Sequence, residues 1–233
     1  MIMKKYKFFL FDADGTLFDY DMAEENALRT MFKMYGLGYS EDIRQKYREI
    51  NSQVWKDYDN GKITKDALQV LRFRRLFEET GIDREPGDFN KKYLYELGKG
   101  SFLIDGALEI CKEITGCNGK IFIVTNGILA TQQSRIKHSP INKYISDYFV
   151  SEHIGYAKPH PLYFEYVFSH ILQFEKNKCL IIGDNLATDI TGGNNAGIDS
   201  CWFNRTGTVN DTGIMPVFEI NDLRKLGDCI NRY

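Results

Sequence analysis

Phe8-Phe9-Leu10-Phe11-Asp12-Ala13-Asp14-Gly15-Thr16-Leu17-Phe18-Asp19 is the stretch whose reading decides the fold. Four consecutive apolar residues predict a short strand buried on both faces. Two carboxylates follow where the strand runs out, and Gly15 permits a tight or left-handed turn. Asp12 and Asp14 at one strand end place two negative charges in a small volume. Such a pair needs a cation, a shared proton, or both. An oxygen-rich site with few protein ligands suits Mg²⁺, which keeps waters and also binds phosphate. The competing reading is a plain turn, with aspartate side chains bonded to nearby backbone, so the rest of the chain has to decide.

Working outward, residues 20–97 read as four helices with no strand. Asp21 and Gly36 bracket the first, and Ser40 and Asn60-Gly61 the second. Thr64 and Gly81 bracket the third, and the fourth opens near Pro86. From Ser101 the texture changes. Apolar runs at Lys120–Thr125, Tyr148–Val150, Cys179–Ile182 and Ser200–Phe203 alternate with helical segments, and Pro216–Ile220 adds an edge strand. The helical segments are Gly106–Thr115, one carrying Leu129, Gln133 and Ile136, Pro161–Ile171, Ala187–Ala196 and Leu223–Cys229. Plain apolar strands alternating with helices predict a doubly wound α/β fold, a parallel sheet covered on both faces. The expected domains are an α/β core over 1–19 and 98–233, and an all-helical domain over 20–97 inserted after the first strand.

The 233 residues carry 30 Lys plus Arg against 32 Asp plus Glu, a net charge of −2. That balance argues against a nucleic-acid polymer as partner, which would need clustered basic excess. No run approaches the ~20 apolar residues of a membrane span, and the apolar run behind the N-terminus is too short for a signal-peptide core. Five scattered cysteines (Cys111, Cys117, Cys179, Cys201, Cys229) without a C-x-x-C pair read as reduced thiols of a cytoplasmic protein.

In a parallel sheet, ligands sit beyond the C-terminal strand ends. Four such ends or following loops carry polar groups: Asp12 and Asp14; Thr125, Asn126 and Gly127; Lys158; and Asp184 with Asp189. Singly each has an ordinary reading, Thr125 as a helix cap, Lys158 as a solvated side chain, and the last two as a turn and a helix-start charge. Their coincidence on one inferred edge points to a site.

Asp12-x-Asp14-Gly15-Thr16, Thr125, Lys158-Pro159 and Gly183-Asp184-x-x-x-x-Asp189 together resemble the four motifs of the haloacid dehalogenase-like (HAD) hydrolases, in order and spacing. The helical insertion resembles that family's four-helix cap. Trp55-Lys56-Asp57-Tyr58-x-Asn60-Gly61, Thr125-Asn126-Gly127 and Asp189-Ile190-x-Gly192-Gly193-x-Asn195-Ala196-Gly197 resemble the family's 5′-nucleotidases, often pyrimidine-specific. The resemblance implies a Mg²⁺-dependent phosphomonoesterase acting on a small phosphorylated metabolite. It implies Asp12 as nucleophile and Asp14 as acid–base group, its side chain left free because its backbone carbonyl meets the metal. Asp12, Asp14 and Asp184 would hold Mg²⁺, with Asp189 behind them orienting Lys158 or a metal-bound water. Thr125, Asn126, Gly127 and Lys158 would hold phosphate. Trp55 reads as either a cap-core residue or a stacking face for a base. Another metabolite such as a sugar phosphate, a haloacid dehalogenase, and a phospholigand-binding protein without catalysis are the alternatives. Asp14 argues against dehalogenation, which needs neither metal nor leaving-group acid.

Overall fold

The computed structural model describes residues 6–231, with side chains described through 228. Cys229 has no described side chain, and the other four cysteines are free thiols. The chain divides into two compact units, one formed by the segments up to Tyr20 and from Ser101 onward, the other by Asp21–Gly100.

The first unit is built on six parallel strands, β1 (Phe8–Phe11), β2 (Lys120–Thr125), β3 (Ile145–Val150), β4 (Cys179–Gly183), β5 (Asp199–Phe203) and β6 (Phe218–Ile220). Their order is β3-β2-β1-β4-β5-β6. β1 is therefore interior, with Phe8–Phe11 in register with 120–123 on one side and 179–182 on the other. Alternation explains the apolar runs. Phe9, Phe11, Ile121, Ile123, Leu180 and Ile182 face one core, while Phe8, Leu10, Phe122, Val124, Cys179 and Ile181 face the other. Both faces are covered, so β1 and the interiors of β2 and β4 carry no polar side chain. The family-wide expectation of a doubly wound α/β fold holds.

The other unit holds α1 (Tyr20–Met34, which begins one residue earlier), α2 (Glu41–Asp59), α3 (Lys65–Thr80) and α4 (Pro86–Lys99). The Ser40 and Thr64 hydroxyls accept from Ile43 N and Ala67 N and start α2 and α3. Gly81, at φ 67°, stops α3. An aromatic cluster forms the centre: Phe73 lies 4.8 Å from Phe89, 5.0 Å from Tyr93 and 5.2 Å from Tyr47 between ring centroids. Arg72 is buried there too, donating to Asn90 Oδ1 at 2.6 Å.

Among the described residues, six further α-helices and one π-helix belong to the first unit. They are α5 (Ala107–Gly116), α6 (Leu129–His138), α7 (Ser151–Ile154), α8 (Pro161–His170), α9 (Thr191–Ala196) and α10 (Leu226–Asn231), with α9 led by a π-turn at Leu186–Ile190. Two sequence expectations change. The segment from Ala187 to Ala196 is not one regular helix: Asn185 caps it by accepting from Ala187 N and Thr188 N, but the first turn is wound wide, with Ile190 N donating to Asn185 O at 3.3 Å. On α6 the inward residues are Thr131, Gln132, Arg135 and Ile136, whereas Gln133 is exposed. Burying three polar residues, Thr131, Gln132 and Arg135, defeats an apolar-periodicity reading. No helix among the described residues is long and apolar enough to cross a membrane.

Candidate active site

β1, β2 and β4 end together, and their ladder delivers the first carboxylate. Asp12 N still donates to Ile182 O at 2.8 Å, so the residue remains fixed by the sheet as its side chain clears the edge. The chain then turns tightly: Leu17 N and Phe18 N both donate to Ala13 O, and Gly15 N donates to Phe18 O. Gly15 sits at φ +84°, and a β-carbon there would lie 2.9 Å from Asp184 Cγ. Glycine therefore serves twice, for backbone freedom and for room beside the β4 carboxylate.

Lys158 lies at the centre. Its ammonium donates to Asp12 Oδ1 at 2.5 Å, Asp189 Oδ1 at 2.7 Å and Val124 O at 2.7 Å, using all three of its donors. The residue is 3 % exposed. Burial works against its charge, but Asp12 and Asp189 outweigh that and hold the ammonium above its ordinary range. Its backbone is clamped by Asn126, whose side chain accepts from Lys158 N at 2.8 Å and donates to Lys158 O at 2.9 Å. Asn126 thus fixes the lysine loop to the end of β2. Thr125, buried, accepts from Gly127 N at 3.0 Å and keeps its own hydroxyl proton to donate.

Asp189 is buried and also accepts from Asn185 N at 3.1 Å through Oδ2. Gly183 makes room for it, since a β-carbon there would come 2.5 Å from Asp189 Cβ. Asp184 opens to solvent at the sheet edge, its backbone carbonyl anchored by Trp202 Nε1 at 2.9 Å. Surrounding protein and the Asp189 charge push its carboxyl up to about 7. Burial likewise raises Asp12, with Lys158 opposing and the Asp189 and Asp184 charges adding. Oxygens of Asp12, Asp184 and Asp189 lie within 4.8 Å of one another. Three carboxylates around one ammonium leave a local excess of negative charge, which a divalent cation would balance.

Asp14 departs from expectation. Its side chain is not free: Gln132 Nε2 donates to Oδ2 at 2.5 Å, and Arg135 Nη1 pairs with Oδ1. Gln132 and Arg135, both buried, are residues that sequence reading missed. Their signal was only a glutamine and an arginine three apart on a helix that starts after Thr125-Asn126-Gly127. Trp55 lies on α2 of the helical unit, partly buried, its ring edge-on to Tyr58 at 5.8 Å. It does not belong to the aromatic cluster around Phe73.

Comparison with known proteins agrees with this geometry. The chain is 38% identical over 229 residues to YfnB of Bacillus subtilis, named as a HAD-hydrolase, covering 98% of this chain and 97% of that one. Against the crystal structure of YfnB the TM-score is 0.90, with 96% of this chain and 97% of that one covered. PynA of Streptococcus pneumoniae, a pyrimidine 5′-nucleotidase, is 35% identical over 227 residues, covering 97% and 96% of the two chains. YjjG of Escherichia coli, also a pyrimidine 5′-nucleotidase, is 33% identical over 229 residues, covering 98% and 100%. The sequence model of the haloacid dehalogenase-like hydrolases matches residues 9–203, from β1 to the end of β5, and the chain belongs to that family.

Proposed function

We propose that the protein is a Mg²⁺-dependent phosphomonoesterase working through an aspartyl-phosphate, and that its substrates are pyrimidine nucleoside 5′-monophosphates. The observation that carries the reading is the ammonium of Lys158 held between Asp12 and Asp189 at the mouth of a parallel sheet. Two of the similar proteins, PynA and YjjG, are named pyrimidine 5′-nucleotidases, and each aligns over nearly the whole chain.

Asp12 attacks phosphorus, and the bond to the ester oxygen breaks. Asp14 gives a proton to the leaving 5′-alkoxide. It then takes one from the water that cleaves the aspartyl-phosphate, releasing phosphate and restoring Asp12. Lys158 neutralises charge on Asp12 and the phosphoryl oxygens. Thr125 donates its hydroxyl proton to phosphate, with backbone N–H groups beside Asn126 and Gly127 supporting it. The carboxylate cluster fits a hard divalent cation. Asp12, Asp184 and the Asp14 carbonyl would hold Mg²⁺. Asp189, whose oxygens already serve Lys158 and Asn185, would steady them from behind. When bound, the cation supplies charge neutralisation for the phosphoryl group. The YfnB crystal structure is described as bound to magnesium.

The test is phosphate release from a panel of nucleoside and sugar monophosphates, ranked by kcat/KM, with and without EDTA. We expect activity that chelation removes and Mg²⁺ restores, with Ca²⁺ a poor substitute because its larger coordination sphere misplaces the phosphate. Full turnover after exhaustive chelation would end the metal assignment. A sugar phosphate at the head of the ranking would end the nucleotide assignment.

The helical unit is the proposed cap, and Trp55 its candidate face for the base. Trp55→Ala then raises KM for a nucleotide by about 10-fold or more, a stacking loss of ~1–3 kcal/mol, and leaves KM for p-nitrophenyl phosphate nearly unchanged. Equal changes for both esters would confine Trp55 to packing within its own unit.

A further inference from the structure

We propose that Gln132 and Arg135 are positioning residues that set the orientation of the Asp14 carboxylate. The proposal rests on the phosphatase reading for its kinetic consequence, though not for its geometry. Both carboxylate oxygens are held, Oδ2 by Gln132 at 2.5 Å and Oδ1 by Arg135. A carboxylate gripped on both oxygens from one helix has a single rotamer available.

The arrangement is costly as mere packing. Arg135 is fully buried, and among the described residues its Nε and Nη2 have no hydrogen-bond partner; Gln132 Oε1 has none either. The guanidinium otherwise meets aromatic rings, Phe18 at 5.7 Å and Tyr20 at 6.0 Å from their centroids. With the guanidinium buried and Asp14 only partly so, an ion pair of this kind stabilises a fold no better than apolar residues of similar volume. What it contributes is a fixed direction for Asp14. An independent observation points the same way. Gly127 leaves the space that Gln132 uses, since a β-carbon on Gly127 would lie 2.9 Å from Gln132 Cγ. The glycine after Thr125-Asn126 is thereby tied to Asp14 through Gln132, without itself reaching it.

A positioned acid–base group loses rate steeply when displaced, by about 10²-fold for an ångström-scale error. The experiment compares wild type with Arg135→Met, Arg135→Lys and Gln132→Leu. It measures kcat and KM on a nucleoside monophosphate and on p-nitrophenyl phosphate, with crystal structures of the same proteins to read the Asp14 side chain. We expect Arg135→Met to lower kcat on the nucleotide about 10²-fold with KM near wild type. The loss on the aryl ester, whose leaving group needs little protonation, should be smaller. Arg135→Lys should recover most of the rate, and Asp14 should turn to another rotamer in Arg135→Met and Gln132→Leu. An Asp14 side chain unmoved in both variants would overturn the proposal, as would equal kcat losses on the two esters. Should Arg135→Met not fold, Gln132→Leu and Arg135→Lys carry the same two readouts. A wild type that hydrolyses no monoester would remove the phosphatase reading, while the Asp14 rotamer in the variants would still decide this one.

Discussion

Asp12→Asn releases no phosphate above background from any monoester, at any Mg²⁺ concentration. The substitution is nearly isosteric, and an amide oxygen still accepts from Lys158, whose Nζ lies 2.5 Å from Asp12 Oδ1. The β1 ladder that fixes the residue is backbone and is untouched. On the proposed mechanism what disappears is the nucleophile, so the loss falls on both half-reactions and on good and poor leaving groups alike. A loss of at least ~10⁴-fold in kcat is expected, since removing a nucleophile alone can cost about as much as removing the whole catalytic set. The melting temperature should not fall, because one of three crowded carboxylates has been neutralised. The measurements are single-turnover phosphate release and acid-quench capture of phospho-protein. Capture of a phosphorylated Asp12→Asn protein would assign the nucleophile elsewhere.

Lys158→Met removes both fold stability and rate. The ammonium uses all three donors inside the protein, and two of its partners, Asp12 and Asp189, are buried. Methionine replaces the stem but leaves two uncompensated buried carboxylates, a penalty of about 3–5 kcal/mol for breaking a buried pair from one side. For a chain of this size that corresponds to a melting temperature lower by on the order of 10 °C. In the fraction that folds, kcat should drop about 10²–10³-fold, as for loss of one preorganised charge at a phosphoryl centre. Lys158→Arg should not rescue, because a planar fork cannot place single donors on Asp12, Asp189 and the Val124 carbonyl together. Calorimetry and kcat on the same preparations check both parts. A folded Lys158→Met protein with near wild-type kcat would relegate the lysine to a structural ion pair.

The strands and the strand-end carboxylates were legible because each obeys a local rule. Phe8–Phe11 is apolar throughout since alternate residues enter two different cores, and Asp12, itself buried, follows where the strand ends at the edge of the sheet. The same logic located Asp184 at the end of β4 and Lys158 in the loop that Asn126 clamps. Gln132 and Arg135 obey no such rule. Both meet Asp14, more than a hundred residues earlier in the chain, and the Arg135 guanidinium also meets the rings of Phe18 and Tyr20, so nothing in their own neighbourhood announces them. Asn126 was assigned to phosphate from its place in Thr125-Asn126-Gly127, while its amide is spent on Lys158 backbone. A side chain's chemistry could be read from the sequence, but not which of two neighbours it serves. The π-turn at Leu186–Ile190 has no local signal either: Asn185 reads as an ordinary helix cap, and the wide winding shows only in Ile190 N reaching back to Asn185 O.

The interior place of β1 in the sheet also has a consequence for how the chain is made. Its partners are residues 120–123 and 179–182, so β1 is completed only when β4 appears. At ribosomal speeds of about 5–20 residues per second, Phe-Phe-Leu-Phe waits roughly 10–30 s for its second neighbour. During that time it is a short apolar segment of high β-propensity with both edges open, the kind that pairs with foreign strands. The helical unit, Asp21–Gly100, emerges wholly within this interval and closes on contacts among its own helices. Nascent chains therefore pass through a stage with the helical segment complete and an unpaired strand ahead of it.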